Sequence, residues 1–201
     1  MARSTRESIL TAAAELMRHK GYGAVGMKDI AAASGAPIGS LYHHFRGGKV
    51  QIAREALINA GHAYSLLIPS IVDSYSDLGD AVDAIFTQAA DDMAGTGFAN
   101  MCPVASVAAE VADTVEELRE TSASVFVGWV DGGTAYFQAR GLGEARAREV
   151  TFALIGALEG AFVLARTLRS TEPLLAAGRA LAPQYRGVAL TDSSASEAAV
   201  R

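Results

Sequence analysis

Met27-Lys-Asp-Ile-Ala-Ala-Ala-Ser34, then Gly35-Ala36, then Pro37-Ile-Gly-Ser-Leu-Tyr-His-His-Phe45 reads as two short helices joined by a tight turn. Ile30 and Ala31 fall on one face of the first helix. Ser34-Gly35-Ala36-Pro37 is a turn signal, with Gly35 able to take the left-handed backbone and Pro37 suited to the first turn of the second helix. In that second helix Leu41 and Phe45 lie four apart and predict the buried face, leaving Ile38, Gly39, Ser40, Tyr42 and His43 outside. That mixture does not look like core. Two helices of about two turns with a glycine-containing connection fit a helix-turn-helix, whose second helix enters the DNA major groove. Such pairs are common in all-α proteins, so the pattern takes its weight from the charge around it.

That charge is basic at one end of the chain. Residues 1–54 hold eight Lys/Arg against Glu7, Glu15 and Asp29, a balance of +5, while the remaining 147 residues hold nine against nineteen, a balance of −10. The overall net charge of −5 therefore hides a basic head on an acidic body. A head of that sign suits a polyanionic partner. Lys28 and Lys49, each at the start of an expected helix, can bracket a groove and meet phosphates.

Outward from the pair, the periodicity is helical throughout. A helix over Thr5–Lys20 places Ile9, Ala13, Leu16 and Met17 on one stripe and stops at Gly21. Further helices are expected over Gly48–Leu67, ended by Pro69, and over Leu78–Ala94, Pro103–Ala112, Val115–Arg140, Glu144–Leu168 and Pro173–Pro183. Thr114-Val-Glu-Glu117 has capping-box spacing. No stretch alternates as a strand does, so the fold expected is all-α with about nine helices. The division expected is a helix-turn-helix domain over 3–63, a helical domain over 64–186 and a flexible tail over 187–201.

Composition and motifs exclude several classes. Half the residues are hydrophobic and 19% are charged, which is not the composition of a disordered chain. The uncharged runs 56–72 and 93–109 are interrupted by Pro with Gly, Asn or His, and the first residues lack an apolar secretory stretch; a soluble, cytoplasmic protein is expected. Cys102 is the single cysteine and is expected to be a small buried hydrophobe. His43-His44 is not a metal pair, because adjacent helical residues point about 100° apart; His43 is expected to face the groove and His44 to pack or to be a partial hydrogen-bond partner. No metal site and no cofactor is expected. There is no Gly-x-Ser-x-Gly elbow, His-Glu-x-x-His, phosphate loop or dinucleotide fingerprint, so no catalytic residues are assigned. The alternative left open is an all-α small-molecule-binding protein or enzyme without specific DNA binding.

In the body, periodicity alone does not separate core from pocket. Phe86, Met101, Phe126 and Trp129 are the residues chosen to line a site for a small hydrophobic or aromatic effector. Gly156-Ala157 and Gly160-Ala161 put small residues four apart on one helical face beside Leu164. Glycine inside a helix costs about 1 kcal/mol relative to alanine, so the placement implies close packing, within the chain or against a second copy.

Thr5-Arg-Glu-Ser-Ile-Leu-Thr-Ala-Ala-Ala-Glu-Leu-Met17, Gly21-Tyr-Gly23, Asp29-Ile-Ala31, Ser34–Phe45 and Gly48-Lys49 together resemble the N-terminal domain of tetracycline-repressor-type (TetR family) regulators. Asn100-Met-Cys-Pro-Val-Ala-Ser-Val-Ala-Ala-Glu110 and Leu158-Glu-Gly-Ala-Phe-Val-Leu-Ala-Arg166 are similar to the C-terminal domain of the LmrA/YxaF-like subgroup. The resemblance implies a homodimer that binds a palindromic double-stranded operator and releases it when a small molecule occupies the C-terminal domain. It implies DNA-contacting roles for Ser40, Tyr42, His43 and Lys49, a phosphate-proximal position for Lys28, and a base-facing helix start at Pro37, Ile38 and Gly39. It also implies a dimer interface carrying Gly156, Gly160 and Leu164. Relatives often have Lys, Arg or Gln where this chain has Ile38, which cannot make a bidentate guanine contact but can pack on a thymine methyl.

Overall fold

The computed structural model describes residues 4–99 and 101–191; Asn100 and the Ser/Ala-rich stretch over 192–201 lie outside the described residues. Nine α-helices form in the described chain: α1 Thr5–Lys20, α2 Met27–Ser34, α3 Ile38–His44, α4 Gly48–Val72, α5 Leu78–Gly95, α6 Pro103–Val111, α7 Glu116–Gln138, α8 Glu144–Leu168 and α9 Glu172–Leu181. A 3₁₀ turn over Ala182–Gln184 follows α9, and an isolated bridge pairs Asp77 with Ala189.

The helices start and stop where local chemistry directs, with instructive departures. A capping box forms at the start of α1: Glu7 N–H donates to Ser4 Oγ at 3.2 Å and Ser4 N–H donates to the Glu7 carboxylate at 2.8 Å. The box expected at Thr114–Glu117 does not form, because α7 begins at Glu116 and the Thr114 hydroxyl donates back to the Val111 carbonyl at 3.5 Å. Pro69 does not end α4. Its ring removes one donor, yet the turn beyond is held by Asp73 N–H donating to the Pro69 carbonyl and the Ser70 hydroxyl to that of Leu67. α7 stops before Arg140 because Gly141 N–H and Leu142 N–H turn back onto the Gln138 and Phe137 carbonyls. The expected flexible tail is corrected over 187–191. There Gly187 N–H donates to Asp77 Oδ2, Leu78 N–H to the Val188 carbonyl and Leu190 N–H to that of Ser76.

Contacts divide the chain into two compact units. The first joins the described part of Met1–Ala63 to Met101–Phe126, so this second stretch, expected in the C-terminal domain, packs with the head. In it α1 lies against α2, α3 and α6. Ile9, Ala13, Met17, Ile30, Leu41, Phe45 and Ile52 are fully buried there.

The second unit comprises the described part of Tyr64–Asn100 and Val127–Arg201. Its core is built from Leu78, Val82, Phe86 and Met93 of α5, Val150 and Leu154 of α8, and Leu174 of α9. α5 and α9 approach so closely that a Cβ on Gly178 would stand 2.8 Å from that of Phe86. Phe86, expected in a pocket, is wholly buried in this crossing. At the far end of α4, the Tyr136 hydroxyl donates to Asp73 at 2.6 Å and Arg140 stacks on the Tyr136 ring while pairing with Asp73. Phe86→Ala should lower the unfolding free energy by about 3–5 kcal/mol, read by chemical denaturation. An unchanged midpoint would contradict the packing role.

Candidate nucleic-acid interface

α3 is seven residues long, and its inner face is what holds it. Leu41 and Phe45 are fully buried, and Phe45 N–H closes the helix on the Leu41 carbonyl at 2.8 Å. The entry is set by Gly35, whose φ of 67° turns the chain after α2, and by Ala36 N–H donating to Ser34 Oγ. Pro37 is the residue before the helix rather than its first residue, and Ser40 N–H donates to its carbonyl at 2.8 Å.

The exit is braced across the first unit. Gly47 N–H donates to the Gln51 side chain, and Gln51 donates to Glu55. Glu55 in turn pairs with Arg6 of α1, whose guanidinium lies 5.2 Å from the centre of the Phe45 ring. The start of α2 is held by Gly26 N–H on Asp29 at 2.8 Å.

On this frame Pro37, Ile38, Gly39, Tyr42 and His43 are exposed along one flank of α3, with Ser40 half-buried beside them. Ile38 is 42% and Tyr42 56% exposed, high values for large apolar side chains. Lys28 is exposed at the start of α2 and Lys49 half-buried at the start of α4. Every residue chosen for DNA contact thus lies in one unit, on the two helices of the pair or next to them. His44, expected to pack or to be a partial hydrogen-bond partner, is exposed, its ring edge-on to both His43 and Phe45.

Two residues that sequence reasoning assigned no role complete this site. The Lys49 ammonium lies 4.0 Å from the centre of the Tyr22 ring, and Glu110 of α6 accepts from Tyr22 N–H and Gly23 N–H, both at 2.6 Å. Partial burial lowers the Lys49 pKa below the ordinary lysine value, and the Glu110 charge works against that shift. Burial, then Glu110 and Glu117, raise that of the Tyr22 phenol. Glu110 closes the second sequence motif, but a bond spanning eighty-eight residues leaves no local signature.

The residues chosen for an effector are divided. Met101 and Phe126 belong to the first unit, Phe86 and Trp129 to the second. Trp129 is half-buried with its ring 6.0 Å from that of Tyr64. Cys102 is buried as expected, and its sulfur accepts from Ala105 N–H at the start of α6. A groove of about 300 Å³ in the first unit is lined by Arg54, Ile58, Glu117, Glu120, Thr121 and Ser124, and by none of the four. Gly156, Gly160 and Leu164 share an exposed face of α8, and a Cβ on either glycine would meet nothing within 4 Å. The glycines therefore serve no helix crossing among the described residues.

A braced helix-turn-helix in a basic head, joined to a second all-helical unit, defines the class of helix-turn-helix transcriptional regulators. Two family models match: bacterial regulatory proteins of the tetR family over residues 9–56, and the LmrA/YxaF-like transcriptional regulator C-terminal domain over 79–180. Among curated relatives, the HTH-type transcriptional regulator LmrA of Bacillus subtilis is 32% identical over 171 residues, covering 85% of this chain and 91% of that protein. YxaF of the same organism is 33% identical over 171 residues, covering 85% and 90%. The crystal structure of a TetR regulatory protein from Rhodobacter sphaeroides superposes with a TM-score of 0.77 over 89% of this chain and 97% of that one. At 22% identity it supports the fold alone. The chain belongs to the TetR family, with a C-terminal domain of the LmrA/YxaF-like type, and is a DNA-binding transcriptional regulator.

The Lys49–Glu110 geometry makes a prediction independent of DNA. Lys49 should titrate below the ordinary lysine range when followed by NMR at its side-chain carbons. Because Glu110 raises its pKa, Glu110→Gln should move that titration lower still; an upward movement would contradict the arrangement.

Proposed function

We propose that this regulator is a repressor that binds a palindromic operator as a homodimer and is released by a small hydrophobic or aromatic effector. The observation that carries the reading is the outer flank of α3. It presents Ile38, Gly39, Tyr42 and His43 to solvent, with Ser40 half-buried beside them, although Leu41 and Phe45 are wholly buried. A helix this short gains nothing from exposing isoleucine and tyrosine to water; a major groove offers both a partner. Lys28 and Lys49 supply sequence-independent attraction to phosphate. Pro37 and Gly39 keep the start of the helix slim enough to approach base edges, and Ile38 packs on thymine methyls. The reading is of a cytoplasmic protein that performs no catalysis.

The test is fluorescence anisotropy of the purified protein on DNA from upstream of its own gene, beside a scrambled fragment, across salt concentrations. Selective, salt-sensitive binding is expected; equal weak binding to both fragments would overturn the reading. Lys49→Ala should weaken binding to every sequence and reduce the steepness of the salt dependence by about one unit, whereas Ser40 replacements should change which bases are preferred. Effector release is then screened on the same complex, with Met101 and Phe126, both in the first unit, as the residues proposed to meet the ligand. Phe86 contributes through the core of its own unit.

Dimerisation is assigned to α8. Phe152, Val163, Leu164 and Leu168 are each more than half exposed on that helix, and Gly156 and Gly160 leave room on the same side. Length and apolar composition alone would let α8 span a bilayer. A second copy of the chain fits better, because the family's regulators are dimers and the glycines let two backbones approach closely. Since a Cβ at Gly160 would meet nothing within 4 Å in the protomer, the effect of Gly160→Leu is expected on association. Light scattering should show monomers, and an unchanged dimer would refute the assignment.

A further inference from the structure

We infer that Glu110 is a positioning residue for DNA binding, holding the α1–α2 loop, and through Tyr22 the Lys49 ammonium, in the geometry that meets phosphate. The inference rests on the operator-binding reading of the head. All the groups involved lie in the first unit. The two Glu110 oxygens are divided between Tyr22 N–H and Gly23 N–H, each at 2.6 Å. The loop is shaped around that carboxylate. A Cβ on Gly21 would stand 2.5 Å from one oxygen, and a Cβ on Gly23 would stand 2.6 Å from the other. A side chain at either place would push the carboxylate off the amides.

The location is otherwise a poor one for an acid. Gly21 caps the C-terminal end of α1, where the helix dipole is negative and where Arg18, His19 and Lys20 provide the expected basic residues. A carboxylate tolerated there needs compensation, and its two charge-assisted bonds to backbone provide it. What those bonds fix is the ring on which Lys49 rests, at 4.0 Å. The Lys49 stem is long and flexible, so an ammonium held over an anchored ring is presented to DNA with less entropy left to lose. Glu110 touches no DNA in this arrangement. It acts through Tyr22, from a helix that the sequence motif would assign to the other domain.

Glu110→Gln keeps the side chain's size and puts an NH₂ group where one oxygen accepted, so it removes one acceptor without opening a cavity. Gly23→Ala keeps the acid and displaces it. Each variant is measured beside the wild type, Lys49→Ala and the double variant Glu110→Gln/Lys49→Ala. The probe is a DNA fragment enriched by the wild-type protein from a random-sequence pool. Both Glu110→Gln and Gly23→Ala should lose roughly tenfold in affinity, equivalent to about 1.4 kcal/mol, and flatten the salt dependence as Lys49→Ala does. The double variant should bind no more weakly than Lys49→Ala alone, since both changes remove one contact. Hydrogen exchange should show the Tyr22 and Gly23 amides losing protection in Glu110→Gln. Wild-type binding and an unaltered salt dependence in both variants, or additive losses in the double variant, would overturn the inference while leaving the operator reading intact. Amides that stay equally protected would overturn it too. A wild-type protein that enriches no sequence would instead overturn the operator reading, and the role of Glu110 with it.

Discussion

The arrangement depends on the burial of Leu41 and Phe45. An isolated helix of seven residues is unstable in water, because its few backbone bonds do not repay the cost of nucleating it. α3 therefore exists only as far as its inner face is pinned, and two side chains do the pinning. Everything on the outer flank inherits its placement from them. The relay from Gly47 through Gln51 and Glu55 to Arg6, and from Arg6 to the Phe45 ring, ties that pin to both α4 and α1. Removing Phe45 would thus loosen three helices rather than one, which is why an apolar residue at the end of α3 matters as much to the surface as the residues on it.

The same dependence explains what could be read in the sequence. Helices with strong local punctuation were legible to the residue: α1 before Gly21, α2 before Gly35, and α8 after Gly143. The inner and outer faces of α3 followed from periodicity alone. Errors arose where a local signal was overruled by bonds it could not foresee. Pro69 looked like a stop, but the turn beyond it is fully hydrogen-bonded; Thr114 looked like a cap, but its hydroxyl faces backwards. The stretch 187–191 looked like a tail because its composition carries no periodicity, yet it pairs with residues 76–78 more than a hundred positions earlier. Phe86 was ambiguous in principle, since core and pocket want the same side chain. Glu110 carries no local sign of its task, because its partners Tyr22 and Gly23 lie in a different part of the chain.

α8 combines an exposed apolar face with two interior glycines. Buried glycines are explained by what a side chain there would strike; a Cβ on Gly156 or Gly160 of α8 would meet nothing within 4 Å. They weaken a helix interior while standing among exposed Phe152, Leu164 and Leu168. In a lone protomer this face costs stability twice, once in helix propensity and once in hydrated apolar area. A partner helix lying along the glycines reverses both terms, because close approach and apolar burial are what that face supplies.

A dimer also answers a difficulty in the head itself. On the proposed reading its flank carries few groups able to make bidentate base contacts: Ile38 can pack only on apolar groups such as thymine methyls, Gly39 has no side chain, Tyr42 offers one hydroxyl and His43 an imidazole. One such surface, helped by Lys28 and Lys49, discriminates weakly, since phosphate contacts attract without specifying. Two copies fixed at one spacing multiply the discrimination of each half-site and make the spacing itself part of what is read. On the proposed reading the effector need not touch any DNA-facing residue. A small change in the distance between two heads removes the simultaneous fit, and each head alone binds too weakly to stay.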